Sequence, residues 1–331
     1  MSDEISSSSE QRRLSLAGRE EYRAAVRWSG WPLVVACLGA LGCMSVGCAG
    51  WLFGSEDNAT GQGDDELEPC GGNHDACMAH GIQLAEQGKL GEAALTFRAL
   101  CVRGDGDACV RQGSIVRDLE PGAVGDLETG LDAEASLLRR GCDLGSPNGC
   151  FLYASMFEYG HVFDPPWPSP GTPDERYAFF RRGCELEFPP SCFSLGQILH
   201  EGRGVTVDPT RAREAYERSC DADFQQACVS LSVLERELPG GGGEAGLDAR
   251  MRQLNEKACA LGGAYGCANV AVLEHAAGAP RTRVEGHLRR ACELGDTSSC
   301  EAVEGWSQGA PLSLALRAER PLVQEVLDAD E

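Results

Sequence analysis

Small and apolar residues recur along residues 70–300 at the spacing expected of paired helices. In each unit a small residue is usually followed two positions later by an apolar residue, then by a glycine-containing turn. A second amphipathic stretch carries a large apolar residue. The small positions are Gly81, Gly113, Ala154, Gly196, Ser232 and Ala271; the large positions are Phe97, Leu138, Phe180, Tyr216 and Leu288. The pattern predicts an array of helix pairs, less well packed in the fifth unit, where Asn255 interrupts the apolar column.

Cysteines mark the boundaries between these units. Six of the pairs have seven intervening residues and recur at intervals of 33 to 42 residues, which is the period of helix-pair solenoids. The pairs are Cys70–Cys77 (with six residues between), Cys101–Cys109, Cys142–Cys150, Cys184–Cys192, Cys220–Cys228, Cys259–Cys267 and Cys292–Cys300. Each pair brackets a short interhelix connection, so we predict a local disulfide at every joint, contributing roughly 2.5 kcal/mol. The alternative at the first joint is a zinc site, with Cys70, His74, Cys77 and His80 as ligands.

An apolar segment precedes the repeats and predicts a membrane anchor. Residues 28–53 carry no charged side chain and are long enough to cross a bilayer as one helix. Arginines come before this segment and acidic residues after it, which predicts a cytoplasmic leader over residues 1–27 and an extracytoplasmic acidic stalk over residues 54–69. The expected location is a bacterial inner membrane, with the repeats on the periplasmic side, where disulfides persist. A lipoprotein modified at Cys37 and a cleaved signal peptide are the alternatives.

Charge narrows the class of partner. The formal net charge is −22, and it falls entirely on residues 54–331 because the leader sums to zero. An acidic protein repels the phosphates of nucleic acids, so we predict no nucleic-acid partner. The expected partner is a protein or peptide, and the negative charge suits a basic one. Solubility alone is the other explanation of such a charge.

The segment from Cys192 to Cys220 resembles a Sel-1-like repeat. It contains the Gly-x-Gly-Val turn at residues 202–205 and the series Asp208, Ala212 and Tyr216. The first unit is similar to the related tetratricopeptide pattern, and the cysteines resemble those of the cysteine-rich bacterial branch, often labelled beta-lactamase-like. The resemblance implies an all-α, right-handed α-solenoid of about six disulfide-stapled helix pairs over residues 70–300. Residues 301–331 are expected to form a C-terminal capping helix and tail.

What the resemblance implies about function is a scaffold that holds a protein or peptide partner, presented from the membrane. Beta-lactam binding or weak hydrolysis, described for some cysteine-rich members, is the alternative. A serine beta-lactamase needs a Ser-x-x-Lys motif, but neither Lys89 nor Lys257 follows a serine at that spacing. The histidines are dispersed and form no metal-binding motif. We therefore predict no catalytic residue and no cofactor.

One insertion is a candidate binding element. The third unit has a long proline-rich segment between its two helices, where other units have a short turn. It carries His161, Phe163 and Trp167. Aromatic side chains on a proline-stiffened loop lose little entropy on binding, so residues 160–173 form the candidate binding loop. The alternative is that Phe163 and Trp167 fold back onto the solenoid as core.

Overall fold

The computed structural model describes residues 72–159, 172–238 and 244–308, together with Leu316. Thirteen helices occupy these ranges. They are α1 His74–Glu86, α2 Leu90–Val102, α3 Gly106–Val116, α4 Leu131–Asp143, α5 Pro147–Tyr159, α6 Pro173–Glu185, α7 Pro189–Glu201, α8 Pro209–Asp221, α9 Gln225–Glu237, α10 Glu244–Ala260, α11 Ala264–Ala276, α12 Arg281–Glu293 and α13 Thr297–Ser307. The predicted anchor, Cys70 and the three candidate loop residues lie outside the described ranges. Within those ranges no helix is both long and apolar enough to cross a membrane.

The helices form an extended array of pairs in which contacts are local. Each helix packs against the next one in the chain, from α1 to α13. The first helices of successive pairs also contact one another, as α3 does with α5, and α7 with α9. This nearest-neighbour arrangement is that of a solenoid. The prediction of an all-helical solenoid of about six pairs is confirmed.

The small and large positions of each unit meet between its two helices. A Cβ atom added to Gly81 would lie 2.7 Å from Cε1 of Phe97, and one added to Gly196 would lie 2.5 Å from Cδ1 of Tyr216. The large residues that the pattern identifies are all buried: Phe97, Leu138, Phe180, Tyr216 and Leu288. The glycines therefore allow one helix of a pair to lie against an aromatic ring of the other.

The fifth unit replaces this apolar contact with hydrogen bonds. Asn255 is fully buried. Its side-chain amide donates to the Ser232 hydroxyl at 2.7 Å and to the Met251 carbonyl at 2.8 Å. The Asn269 amide in turn donates to the Asn255 side-chain oxygen at 3.0 Å. Because its donors and acceptor are matched, the polar side chain is tolerated in the core.

Capping residues set the beginnings of several helices. Asp208 accepts a hydrogen bond from the Arg211 amide at 3.1 Å, and Pro209 opens α8. At the start of α6 the Thr172 hydroxyl accepts from the Glu175 amide at 3.2 Å, while the Glu175 carboxylate accepts from the Thr172 amide at 3.0 Å. This reciprocal capping box fixes the first turn of α6.

Helix α13 closes the last pair with a polar outer face. Glu301, Glu304 and Ser307 are exposed. Ala302, Val303 and Trp306 pack against the small apolar cluster of Ala271, Val284 and Leu288. The guanidinium of Arg281 lies 4.9 Å from the centroid of the Trp306 ring. A polar outer surface of this kind is what the end of a solenoid requires for solubility.

Candidate functional site

The joints between units are constructed alike. Six disulfides have both cysteines in the described ranges: Cys101–Cys109, Cys142–Cys150, Cys184–Cys192, Cys220–Cys228, Cys259–Cys267 and Cys292–Cys300. In each of them the first cysteine is the penultimate residue of one helix and the second is the fourth residue of the next. The sequence spacing therefore places these six bridges correctly.

The first joint contains a seventh disulfide rather than free thiolates. Cys77 is disulfide-bonded, and its partner lies outside the described residues. A sulfur in a disulfide is not available as a thiolate ligand, so Cys77 does not fit the alternative zinc site. His74 is hydrogen-bonded to Asp75 at 2.9 Å and to Asp105 at 2.5 Å. Over the part of the chain that the structure describes, no three His, Cys, Asp or Glu side chains are grouped to hold a metal ion.

The backbone three residues after the first cysteine is left-handed at all six of these joints. Four of the joints have glycine at this position: Gly104, Gly145, Gly262 and Gly295. The other two have Glu187, with φ of 60°, and Asp223, with φ of 63°. Side chains other than glycine are disfavoured in this conformation. The third and fourth of the six joints therefore carry local strain that the others avoid.

A ladder of basic side chains connects consecutive joints. Arg218 donates to the Cys184 carbonyl at 2.7 Å, and Lys257 donates to the Cys220 carbonyl at 2.7 Å. Arg140 and Arg182 make the corresponding bonds to the carbonyls of Cys101 and Asp143. Each bond satisfies a carbonyl at the end of the preceding unit's second helix, where a positive charge is also favourable. The sequence analysis does not predict this ladder. The pattern that would predict it is a basic residue two positions before the first cysteine of a joint.

One of the two lysines of the chain, Lys257, belongs to this ladder. The ammonium of Lys257 lies 3.0 Å from the Asp223 carboxylate, in addition to its bond with a backbone carbonyl. Lys89 lies 3.6 Å from Glu92 on the surface. Both amines thus have a carboxylate partner.

The buried glutamates are engaged in ion pairs as well. Three of the described glutamates are buried, and each pairs with an arginine that lies in a neighbouring helix or directly after one. The pairs are Glu134–Arg117 at 3.3 Å, Glu235–Arg213 at 2.5 Å and Glu274–Arg283 at 2.6 Å. Glu274 also lies 3.5 Å from His287. A buried carboxylate with an arginine partner is a structural ion pair, and removing the arginine leaves an uncompensated charge.

Partly exposed aromatic residues gather on α5 and α6, the two helices that flank residues 160–171. The rings of Tyr153 and Phe179 meet edge to face, with centroids 4.5 Å apart. The Arg211 guanidinium lies 5.6 Å from the centroid of the Tyr177 ring and donates to the Tyr177 hydroxyl. Burial raises the pKa of the Tyr153 hydroxyl above its ordinary value. These are two separate contacts of α6, one with α5 and one with α8, and we call the four residues Tyr153, Tyr177, Phe179 and Arg211 together the aromatic platform.

The next unit holds the platform in place. The side chain of Arg176 donates to the Arg203 carbonyl at 2.6 Å, which joins α6 to the turn after α7. Pro173, the first residue of α6, lies directly against Gly204 in that turn, and any side chain larger than glycine there would collide with it. The helix that carries Tyr177 and Phe179 is thereby fixed at its beginning. Sequence reasoning selected the adjacent loop and missed the platform, since its four residues come from three helices.

Solved structures share this architecture. A Sel1 repeat protein from Oxalobacter formigenes superposes with a TM-score of 0.57 at 18% identity, covering 76% of this chain and 98% of that one. A protective antigen of uropathogenic Escherichia coli strains, which displays an SLR fold, also gives a TM-score of 0.57, at 17% identity, over 81% of this chain and 59% of that one. The chain has a Sel1-like repeat fold. No protein-family model matches it.

Two curated proteins resemble part of the chain. Cytochrome c oxidase assembly factor 7A of Xenopus laevis is 34% identical over 81 residues, and assembly factor 7 of Xenopus tropicalis is 33% identical over 81 residues. The match covers 23% of this chain, and the chain spans only 33% of the length of each of these relatives. The narrower resemblance to the beta-lactamase-like branch stays a prediction.

Proposed function

We propose that this protein is an interaction scaffold that holds a protein or peptide partner against a rigid Sel1-like solenoid. The observation that carries the proposal is the fold itself, with a disulfide at every described joint. Contacts in a solenoid are local, so a bridge at each joint limits opening between neighbouring units. A surface that spans several units then keeps its shape, and a partner can bind it without ordering it first.

The aromatic platform is the proposed contact surface. Tyrosine and arginine are enriched among the residues that dominate binding energies at interfaces, and all four platform residues are outside the buried core. The platform lies on the helices that flank the candidate loop with His161, Phe163 and Trp167. We propose that loop and platform bind one partner together. The net charge of −22 favours a basic partner, whose binding should weaken as salt is added.

The test is capture of partners by the immobilised full chain from cell-envelope extracts. The double variant Tyr177→Ala/Phe179→Ala removes two platform rings, and Val102→Ala, an exposed apolar position on α2, is the matched control. We expect a captured protein to be lost with the platform variant, retained with the control, and released by salt. If the folded platform variant captures the same proteins in the same amount, the proposed contact surface is wrong.

The loop variant Phe163→Ala/Trp167→Ala separates the two interpretations of the insertion. Loss of capture with an unchanged melting temperature supports a binding loop. A melting temperature lowered by several degrees with unchanged capture shows that the two rings are core, and contradicts the binding role.

We further propose that residues 28–53 anchor a right-handed solenoid on the outer side of a bacterial inner membrane. Arginines before the segment and acids after it support this orientation. The disulfides support an oxidising compartment. A phosphatase fused after residue 70 is expected to be active, and a cytoplasmic reporter at the same site inactive. The reverse result would show that the repeats face the cytoplasm.

A further inference from the structure

The six described disulfides can be compared for their rate of reduction, because each one occupies the same position relative to its two helices. Every one joins the penultimate residue of one helix to the fourth residue of the next, and each spans eight positions in sequence. The second cysteine always lies near a helix N-terminus, where a thiolate is stabilised and is therefore a better leaving group. With helix position and spacing equal, the accessibility of the sulfur atoms decides which bridge reacts first.

Accessibility differs sharply at one end of the solenoid. The four bridges from Cys101–Cys109 to Cys220–Cys228 consist of cysteines with at most 2% of their surface exposed. In the fifth, Cys259 is partly exposed but Cys267 is buried. Both Cys292 and Cys300 are partly exposed. Of the six, this last bridge is the one in which both cysteines are partly exposed, and we therefore expect a reductant to reach it most readily.

The helix on the far side of that bridge buries few of its own residues. All residues of α13 are described, and Ser299 is the one that is buried. Helix α7, inside the array, buries nine consecutive residues, from Ser191 to Leu199. Among the described residues, α13 is held by the partly exposed Ala302, Val303 and Trp306, by Arg281, whose side chain donates to the Trp306 carbonyl and lies over the Trp306 ring, and by the ring of His275, which meets that of Trp306. Because α13 buries so few residues, its disulfide contributes a larger fraction of the interactions that hold it than a disulfide does for an interior helix such as α7.

We propose that Cys292–Cys300 is a site of thiol–disulfide exchange with a dithiol oxidoreductase, and that its reduction releases α13. A thiolate of the dithiol attacks the Cys292 sulfur, the disulfide bond breaks, and Cys300 leaves as a thiolate that takes up a proton. The second thiol of the reductant then displaces Cys292. Two cysteine thiols are formed and the dithiol is oxidised to a disulfide.

Release of α13 changes the surface of the molecule. Ala271, Val284 and Leu288 are fully buried beneath it and become exposed at the end of the solenoid. This redox-controlled face is separate from the aromatic platform, so the inference does not depend on the proposed partner.

The experiment is a timed reduction of the folded full chain with dithiothreitol, followed by alkylation and peptide mapping. We expect alkylation of Cys292 and Cys300 about tenfold sooner than that of Cys184 and Cys192, with Cys259–Cys267 second. Hydrogen exchange at that first stage should show loss of protection over residues 297–307 and retained protection over residues 189–201. In the double variant Cys292→Ser/Cys300→Ser the early phase should disappear while the interior bridges are reduced at an unchanged rate.

Three results would overturn the proposal. The first is reduction of all six bridges together, and the second is an interior bridge that reacts before Cys292–Cys300. The third is protected amides in α13 after both its joint cysteines have been alkylated, which would show that the helix stays docked without its bridge.

Discussion

At the scale of single residues, different residue types adopt the same left-handed backbone conformation three positions after the first cysteine of each described joint. Glycine adopts it at four of the six joints, whereas Glu187 and Asp223 adopt it at the two others. Asp223 gains an ion pair with Lys257 there, and Glu187 is exposed. Glu187 is therefore the position where a substitution should relieve strain without removing a described ion pair.

Glu187→Gly is expected to stabilise the protein by about 1 kcal/mol, since the left-handed cost for a side chain of about 1–2 kcal/mol is offset in part by the flexibility of glycine in the unfolded chain. The measurement is chemical unfolding of the purified protein. Glu187→Ala is the matched control, because it removes the charge and keeps the Cβ. Equal stabilisation by both variants would show that charge, rather than backbone strain, is responsible.

Asn255 is a buried polar residue whose side-chain donors and acceptor all have hydrogen-bond partners. Asn255→Leu is expected to destabilise the protein by about 1–3 kcal/mol, because Ser232 and Asn269 would lose buried partners. The triple variant Asn255→Leu/Ser232→Gly/Asn269→Ala restores the small–large pattern of the other units and should recover much of the loss. Urea unfolding measures both, and strictly additive effects would contradict a shared network.

At the scale of helices, the close contact between small and large positions determines how near the two helices of a pair lie. Gly196→Ala should destabilise the protein by roughly 1–3 kcal/mol, because its new methyl group meets the buried ring of Tyr216. Gly286→Ala is the control within α12. Nothing lies within 4 Å of a Cβ there, and alanine should stabilise that helix by up to about 1 kcal/mol. Thermal melting that moves both variants in the same direction would contradict this account.

The helix pairs are the part of the structure that the sequence specifies most directly. Periodic positions such as Gly196 and Tyr216 meet within one unit, so spacing along the chain is enough to predict their contact. The aromatic platform depends on the angle between α5, α6 and α8, which no local spacing encodes. The hydrogen bonds of Asn255 could not be predicted for a similar reason, because its partners Ser232 and Asn269 lie on two other helices.

At the scale of the whole molecule, one contact makes the first pair sensitive to pH. Hydrogen bonds with Asp75 and Asp105 raise the pKa of His74 above its ordinary value of 6.5. Asp105 caps α3, so the contact joins α1 to the second unit. Because the pKa of His74 is higher in the folded protein, its contacts stabilise the fold fully at a pH below the pKa of His74 in the unfolded chain. This stabilisation is lost as the pH rises through the pKa of His74 in the folded protein.

We therefore expect amides of α1 to exchange faster at about pH 8.5 than at about pH 5.5, after correction for the intrinsic rates of exchange. The effect should be small, since 60% of the His74 side chain is exposed. His74→Gln should remove the difference between the two conditions. A pH dependence that persists in this variant would assign it to other groups.

The eight-residue separation of the paired cysteines also bears on how the chain reaches this structure. A loop of about ten residues closes in roughly 10–100 ns, far faster than contacts between distant segments form. The native partner of each cysteine is thus the one that it meets first. Bridges can form in order as the chain is synthesised, each one completing a joint before the next unit emerges. Oxidation alone should then give the native pairing, without an isomerase to rearrange mismatched bonds.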